Sequence, residues 1–473
     1  MFRISQFMRL IAEAERSGSM APPRNAKPGA PERRAAPSPG HAPRATKGPS
    51  TGLGGGRAAA GGAMKGPVVI WNLIRRCNLT CKHCYALSAD HDYAGELTHA
   101  EVCKVMDDLK AFQVPVLILS GGEPLLRPDL FEIAARAKAK SFYVGLSTNG
   151  TLIDSAMADR VAAAGFDYVG ISLDGLAATH DKFRRLNGAF ERSLAAVQLL
   201  RARGVKVGLR FTMTALNAHD LPALLQLMRD EQVDKFYFSH LNYAGRGNIH
   251  RAKDAQFVAT REALDLLFDR AWQAAWEGLD EEYVTGNNDA DGPYLLQWVQ
   301  RRFPLKETPG RSQVSLPASG GLAQSDRSGG SRWHDALRAH LVAWGGNSSG
   351  VNVANIDNLG NVHPDTMWWH HTLGNVRERP FSAIWSDTSE PLMAGLKAHP
   401  RPVQGRCARC VHFDICAGNT RVRAQQVTGN AWAEDPGCYL DDAEIGLRHE
   451  DAVGGVGVRT QRIIVTPFAH TAH

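Results

Sequence analysis

From Val68 onward the chain alternates between short apolar runs and longer amphipathic stretches. The runs VVIWNL (68–73), VLILS (116–120), YVGLST (143–148), YVGISL (168–173), VKVGLRFT (205–212) and KFYFSH (235–240) are bounded by polar or glycine-containing segments. These short apolar runs read as strands. Between them, helical periodicity predicts helices over 98–112, 129–140, 154–164, 188–203 and 220–230. Thr98 with Glu101 three residues later reads as a capping box, and Asp154 as an N-cap.

Six strand–helix repeats predict parallel strands joined by right-handed crossovers. With no seventh or eighth repeat visible, the expected fold is α/β, a partial (β/α)6 TIM-like barrel. A doubly wound open sheet is the alternative. Either fold places chemistry at the C-terminal ends of the strands. Upstream, MFRISQFMRLIAEAER clusters its apolar residues on one helical face, so residues 1–17 read as an amphipathic helix that packs on the body or binds a partner. Residues 18–63 are rich in Ala, Pro and Gly and read as a disordered linker. The core is expected over 64–305, a flexible Gly/Ser-containing linker over 306–332, and a smaller domain over 333–445. That domain contains VNVANIDNLGNVHPD, in which Asn358–Asn361 supply a hairpin turn. Residues 446–473 form a tail without a motif.

Charge changes this picture little. The formal balance is +6, but residues 1–63 alone carry ten Lys/Arg against three Glu, leaving the rest at −1. A basic groove for nucleic acid is therefore not expected on the body. No run of 18 apolar residues is present and the N-terminus lacks a secretory h-region, so no membrane span and a cytoplasmic location are expected.

Cysteine changes it more. Seven of eight cysteines fall in two knots, Cys77/Cys81/Cys84 and Cys407/Cys410/Cys416/Cys438. Clustering of this kind points to metal rather than disulfides. Three thiolates on RRCNLTCKHCYAL (75–87) can hold three irons of a cubane cluster and leave the fourth open. A structural zinc site closed by His83 is the alternative. The second knot, spaced C-x2-C-x5-C-x21-C, has enough thiolates to saturate a cluster, with a zinc ribbon as its alternative. Cys103, in the middle of a predicted helix, reads as a buried apolar thiol.

C-x3-C-x2-C after the first strand resembles the signature of the radical S-adenosylmethionine (SAM) enzymes. SGGEP (120–124), STNG (147–150) and SLDG (172–175) follow strands two, three and four as companion motifs. The resemblance covers residues 68–212. It implies a [4Fe-4S] cluster on Cys77, Cys81 and Cys84, with SAM on the open iron. It also implies that Glu123 and the backbone of Gly121 and Gly122 receive the SAM ammonium, and Arg210 the carboxylate. Asn149 and Ser172 would bond the methionine or ribose, and His83 the adenine; Asp174 is a turn former or a functional residue. The second knot resembles a C-terminal SPASM or twitch-type domain, implying one auxiliary [4Fe-4S] cluster. Asp365 stands near where such domains often have a cysteine.

The wording GPVVIWNLIRRCNLTCKHCY, LSGGEPLLRPDLFEIA and NLGNVHPDTMWWHHTLGNV resembles the tetrapyrrole-modifying branch, and within it the heme d1 biosynthesis members. That resemblance implies an iron tetrapyrrole substrate, 12,18-didecarboxysiroheme, with two propionates replaced by oxo groups. It also implies an electron donor such as flavodoxin or ferredoxin. Fe-coproporphyrin decarboxylation and SPASM-type peptide maturation are the alternatives; a non-enzymatic scaffold would not need all four motifs at strand ends. Trp368, Trp369, His363, His370 and His371 are candidate macrocycle contacts, or aromatics packed on the hairpin.

Overall fold

The computed structural model describes residues 2–17, 66–255, 257–304 and 333–447. The two linkers and almost all of the C-terminal tail expected above lie outside these residues. The strands are β1 (Phe2–Arg3), β2 (Val68–Asn72), β3 (Val116–Ser120), β4 (Tyr143–Thr148), β5 (Tyr168–Ser172), β6 (Val207–Met213), β7 (Lys235–His240), β8 (Glu282–Gly286), β9 (Val353–Ile356), β10 (Asn361–His363) and β11 (Gly374–Asn375). Helices that matter below are α1 (Ile4–Arg16), α2 (His99–Ala111), α3 (Leu130–Ala139), α4 (Ser155–Ala163), α5 (Ala177–Arg184), α6 (Ala189–Ala202), α7 (Leu221–Asp230), α8 (Gly245–Ile249), α9 (Phe257–Glu277) and α10 (Asp291–Arg302).

All eleven strands join one sheet, ordered β1-β8-β7-β6-β5-β4-β3-β2-β9-β10-β11. From β2 to β8 every strand pairs in parallel with its sequence neighbour. A doubly wound sheet needs a point where strand order reverses. Here the order is monotonic, so successive right-handed crossovers put their helices on one face and the sheet curls into a partial barrel. Among the described residues hydrogen bonds do not close it.

The six expected strands and the five expected helices α2, α3, α4, α6 and α7 are present within two residues of their predicted ends. The capping box at Thr98 and the Asp154 cap form as expected. A seventh parallel strand, β8, follows the 21-residue α9 and was not predicted. β9 pairs in parallel with β2, so the hairpin from the C-terminal part continues the barrel sheet.

Side chains on the outer face of the strands, such as Trp71, Leu117, Leu119, Val144 and Leu146, are fully buried under the helices. The inner face is tight. A Cβ on Gly208 or Gly286 would lie 2.3 Å from the hydroxyl of Tyr168 or Tyr237, so glycine makes room for two tyrosines in the barrel interior. Below them Glu282 pairs with both Lys235 and Arg3 at 3.4 Å. The N-terminal helix docks on the body: Ile4, Phe7, Met8 and Ile11 are buried, and the Ser5 hydroxyl accepts the Tyr283 N–H at 2.7 Å. Four such side chains stabilise the docked state by roughly 1.5–3 kcal/mol each.

Candidate active site

The cysteine loop leaves the C-terminal end of β2, and the loop after β3 packs directly on it. Gly122 N–H donates to Ile74 O at 2.6 Å, and Glu123 N–H to Arg76 O at 2.9 Å. A Cβ on Gly121 would lie 2.4 Å from Ile74 O, and one on Gly122 2.3 Å from the carbonyl oxygens of Arg75 and Arg76. Both glycines are therefore required by backbone-to-backbone contact with the segment that presents Cys77.

Glu123 is fully buried. Its carboxylate accepts the Thr148 hydroxyl at 2.7 Å, the Asn149 N–H at 2.8 Å and the Leu125 N–H at 3.2 Å. Burial pushes its pKa up to about 7 despite these bonds. Asn149 continues the chain: its amide donates to Asn78 Oδ1 at 2.9 Å and lies 3.9 Å from Cys77 Sγ, while its Oδ1 accepts both Thr151 donors. The GGEP and STNG loops thus brace the cysteine loop.

Cys77, Leu79 and Cys81 form a small buried cluster of their own, with Cys84 and Leu186 packed against it. Burial raises the Cys77 thiol, with Glu123 adding to it, and burial likewise raises Cys81. As free groups they are thiols; a cationic cluster bound there would make them thiolates. Arg184, at the end of α5, donates to Cys81 Sγ at 3.5 Å and pairs with the fully buried Asp174. His83 stacks on Phe183 with centroids 4.7 Å apart, and its Nε2 lies 3.7 Å from Asp174. Burial lowers its pKa to about 4, and its buried Nδ1 has no protein partner. Arg246 N–H donates to Cys84 O at 2.9 Å, and its guanidinium to Cys81 O at 2.6 Å, so α8 clamps the same loop.

Ser172 and Arg210 face each other in register on β5 and β6. Arg210 bonds the Ser147 hydroxyl and lies 5.3 Å from the centroid of the Tyr237 ring. Tyr85, just past Cys84, is half-buried with its hydroxyl accepting from Asn72 at 2.9 Å.

The second knot surrounds one cavity, lined by Cys407, Cys410, Cys416 and Cys438 with Ala290, Pro293 and Leu440. Burial raises all four thiols, Cys438 to about 11. Among the described residues no three His, Cys, Asp or Glu side chains form a site for a single metal ion. A space ringed by four thiols suits a cluster that takes one thiolate per iron. Buried Arg421 bonds the carbonyls of Asn419 and Ala433, and buried Arg423 forms a two-pronged pair with Asp435 at 2.7 and 2.8 Å. These contacts hold the segments that carry Cys416 and Cys438. Tyr439 then reaches back to the barrel: its hydroxyl donates to Asp291 at 2.8 Å, and Asp291 meets His240 of β7 at 3.0 Å.

The model of the Radical SAM superfamily matches residues 71–228. Over 408 residues the chain is 51% identical to the pre-heme d1 synthase of Dinoroseobacter shibae, spanning 86% of this chain and 92% of that one. The chain belongs to the radical SAM superfamily. It is also 43% identical to the Fe-coproporphyrin III synthase of Methanosarcina barkeri, over 81% of this chain and 90% of that one. Among solved structures, Streptococcus suis SuiB bound to its precursor peptide SuiA superposes with a TM-score of 0.60 at 14% identity, covering 80% of this chain and 76% of that one. The anSMEcpe structure with bound AdoMet gives 0.55 at 18% identity, covering 78% and 92%. Identities this low speak for the fold alone. Family membership implies SAM and an iron–sulfur cluster.

Within this radical SAM site the structure brings together Cys77, Cys81, Cys84, Gly121, Gly122, Glu123 and Asn149. Ser172 and Arg210 stand together on the inner face of the sheet, two and three strands from the Glu123 loop. Trp369 lies near the cysteine loop, 5.9 Å from both the Tyr85 ring and the Arg75 guanidinium. Trp368 is fully buried, and His363 is buried with Nδ1 on His371 O at 2.8 Å, so these two pack the hairpin. His370 and His371 bond Gln425 and Glu390. Asp365 bonds Ser349. Cys103 is only half-buried and meets His99 Nε2 at 3.4 Å, which corrects its reading as a buried apolar thiol. Sequence reasoning missed Arg184, Arg246 and Gly245. A Cβ on Gly245 would lie 2.5 Å from Cys84 O, so the GRG turn was the available signal.

Among the described residues no helix is long and apolar enough to cross a membrane.

Proposed function

We propose that the protein is the radical SAM enzyme of heme d1 biosynthesis that replaces two propionate side chains of 12,18-didecarboxysiroheme with oxo groups. The observation that carries this reading is the 51% identity to a pre-heme d1 synthase over 92% of its length. The 43% identity to an Fe-coproporphyrin III synthase keeps a second tetrapyrrole reaction as the alternative.

Cys77, Cys81 and Cys84 hold a SAM-binding [4Fe-4S] cluster, and Cys407, Cys410, Cys416 and Cys438 an auxiliary one. Bound there, the clusters and SAM supply one-electron chemistry: a primary carbon radical at the first site and an electron sink at the second. The chain's own residues place and shield these groups. Gly121 and Gly122 offer backbone carbonyls to the SAM ammonium. Glu123 already accepts from Thr148 and Asn149 at the end of β4 and from Leu125 of its own loop, so it acts by positioning that backbone. Asn149, Ser172 and His83 offer polar groups around the methionine, ribose and adenine. Arg210 offers a cation for the SAM carboxylate, where a guanidinium forms paired charge-assisted bonds. Tyr85 and Trp369, with ring centroids 5.9 Å apart beside the cysteine loop, offer aromatic surface to a flat macrocycle. Flavodoxin or ferredoxin suits the role of electron donor.

The test is substrate dependence. Anaerobically reconstituted protein with SAM and reductant should form 5′-deoxyadenosine faster with 12,18-didecarboxysiroheme than with Fe-coproporphyrin. The reverse order would favour the alternative.

A further inference from the structure

We propose that the Arg184–Asp174 pair sets the reduction potential of the SAM-binding cluster, through the hydrogen bond from Arg184 to Cys81. The proposal rests on the reading that Cys77, Cys81 and Cys84 hold that cluster.

Arg184 is 7% exposed and Asp174 0%. Arg184 Nη1 donates to Cys81 Sγ at 3.5 Å, and Nη2 pairs with Asp174 Oδ2. Asp174 is itself fixed on three sides. Its Oδ1 accepts the Thr212 N–H at 2.8 Å, its carbonyl accepts the Asn217 amide at 2.9 Å, and its N–H donates to His180 Nδ1 at 3.0 Å. One terminal nitrogen of the guanidinium thus meets the carboxylate and the other the thiol.

A buried ion pair is costly to desolvate and is weak evidence of a stabilising role. Nor is the pair needed to attach α5 to the cysteine loop, because Lys82 N–H already donates to Phe183 O at 3.1 Å. Arg246 gives the contrast. It reaches the same loop but bonds carbonyl oxygens, Cys81 O at 2.6 Å and Ser88 O at 3.0 Å. Among the described residues Arg184 is the guanidinium that donates to a sulfur of this loop.

Hydrogen bonds to the ligating sulfurs and nearby charge are the protein's means of setting a cluster's potential. Reduction makes the cluster more negative. A donor and a positive charge on Cys81 favour the reduced form and raise the potential. Asp174 stands behind the guanidinium and offsets part of that charge. The two residues therefore act with opposite signs. Arg184 acts through Cys81, and Asp174 positions Arg184.

The experiment is a redox titration of the reconstituted full-length protein, followed by electron paramagnetic resonance without SAM so that SAM affinity does not enter. The relevant signal is the one that SAM perturbs and that disappears in Cys81→Ala; if wild type has no such signal, the cluster reading fails independently of this proposal. Arg184→Met should shift the midpoint to more negative potential, and Arg184→Lys should shift it less. Asp174→Asn should shift it the other way. Unchanged midpoints, or shifts of one sign in Arg184→Met and Asp174→Asn as general solvent entry would give, overturn the proposal. Loss of the cluster from all three variants would make the pair a structural tie and overturn it as well.

Discussion

The Glu123 carboxylate accepts the backbone N–H of Asn149 at 2.8 Å and so ties the end of β3 to the end of β4. Both strand ends in turn touch the loop that carries Cys77. Replacing Glu123 with Ala removes the acceptor of three hydrogen bonds at a buried site. These bonds hold the Gly121–Gly122 backbone rather than touching SAM, and losing about one charge-assisted bond's worth of that positioning corresponds to about 1.5–3 kcal/mol of binding. Glu123→Ala should therefore lower SAM affinity by roughly ten- to a hundred-fold while iron content stays near wild type. Calorimetry of SAM binding decides this; unchanged affinity would remove Glu123 from any positioning role.

Cys77, Cys81 and Cys84 converge in one small buried cluster. Losing any one of them should abolish reductive cleavage of SAM, because three thiolates are the minimum that leaves a single open iron. Chromatography of 5′-deoxyadenosine checks each single Ala variant. Undiminished product in the triple variant would refute the assignment.

The cavity ringed by Cys407, Cys410, Cys416 and Cys438 should hold a second cluster. Reconstituted wild type should then bind close to eight irons per chain, and Cys410→Ala about four. The variant should retain SAM cleavage at least in part and lose tetrapyrrole conversion. A ligand change can unfold a metal-stabilised segment, so circular dichroism accompanies the iron count. About four irons with stoichiometric zinc in wild type would make the second knot a zinc site.

Glu101 caps α2 and meets Arg377 at 2.6 Å, linking the barrel to the C-terminal part of the chain. The Arg377 hydrogen bond, helped by the Thr98 backbone, lowers its pKa to about 2. A carboxylate whose folded pKa is depressed stabilises the fold above its unfolded pKa, and that contribution fades as pH falls toward the folded value. Both side chains are about a third exposed, 34% and 37%, so solvent screening limits the effect. Glu101→Gln should cost about 0.5–1 kcal/mol near neutral pH. Its melting temperature should rejoin wild type below the depressed pKa. An equal gap at neutral and strongly acid pH would contradict the assignment.

The barrel was legible where burial writes a local pattern. β2 through β7 carry apolar runs because each lies beneath helices on its outer face. β8 was not legible: EYVTG offers few apolar residues, and its inner face carries Glu282 and the space-making Gly286. The pairing of β9 with β2 joins residues almost three hundred positions apart, and no local pattern records it. At the site, Cys77, Gly121 and Glu123 were legible because they stand in the C-x3-C-x2-C and GGE motifs, and close backbone contact restricts Gly121 to glycine. Arg184 was not, since an arginine in the last turn of a helix normally faces water. Only the packing of α5 against the cysteine loop turns it toward Cys81.

The central claim is the reaction on the tetrapyrrole, and mass spectrometry of the macrocycle after anaerobic turnover tests it most directly. With 12,18-didecarboxysiroheme, SAM and reductant, the wild-type protein should yield a product that has lost two propionates and gained two oxo groups. Recovery of the substrate at unchanged mass, while 5′-deoxyadenosine accumulates and Fe-coproporphyrin is converted instead, would contradict it.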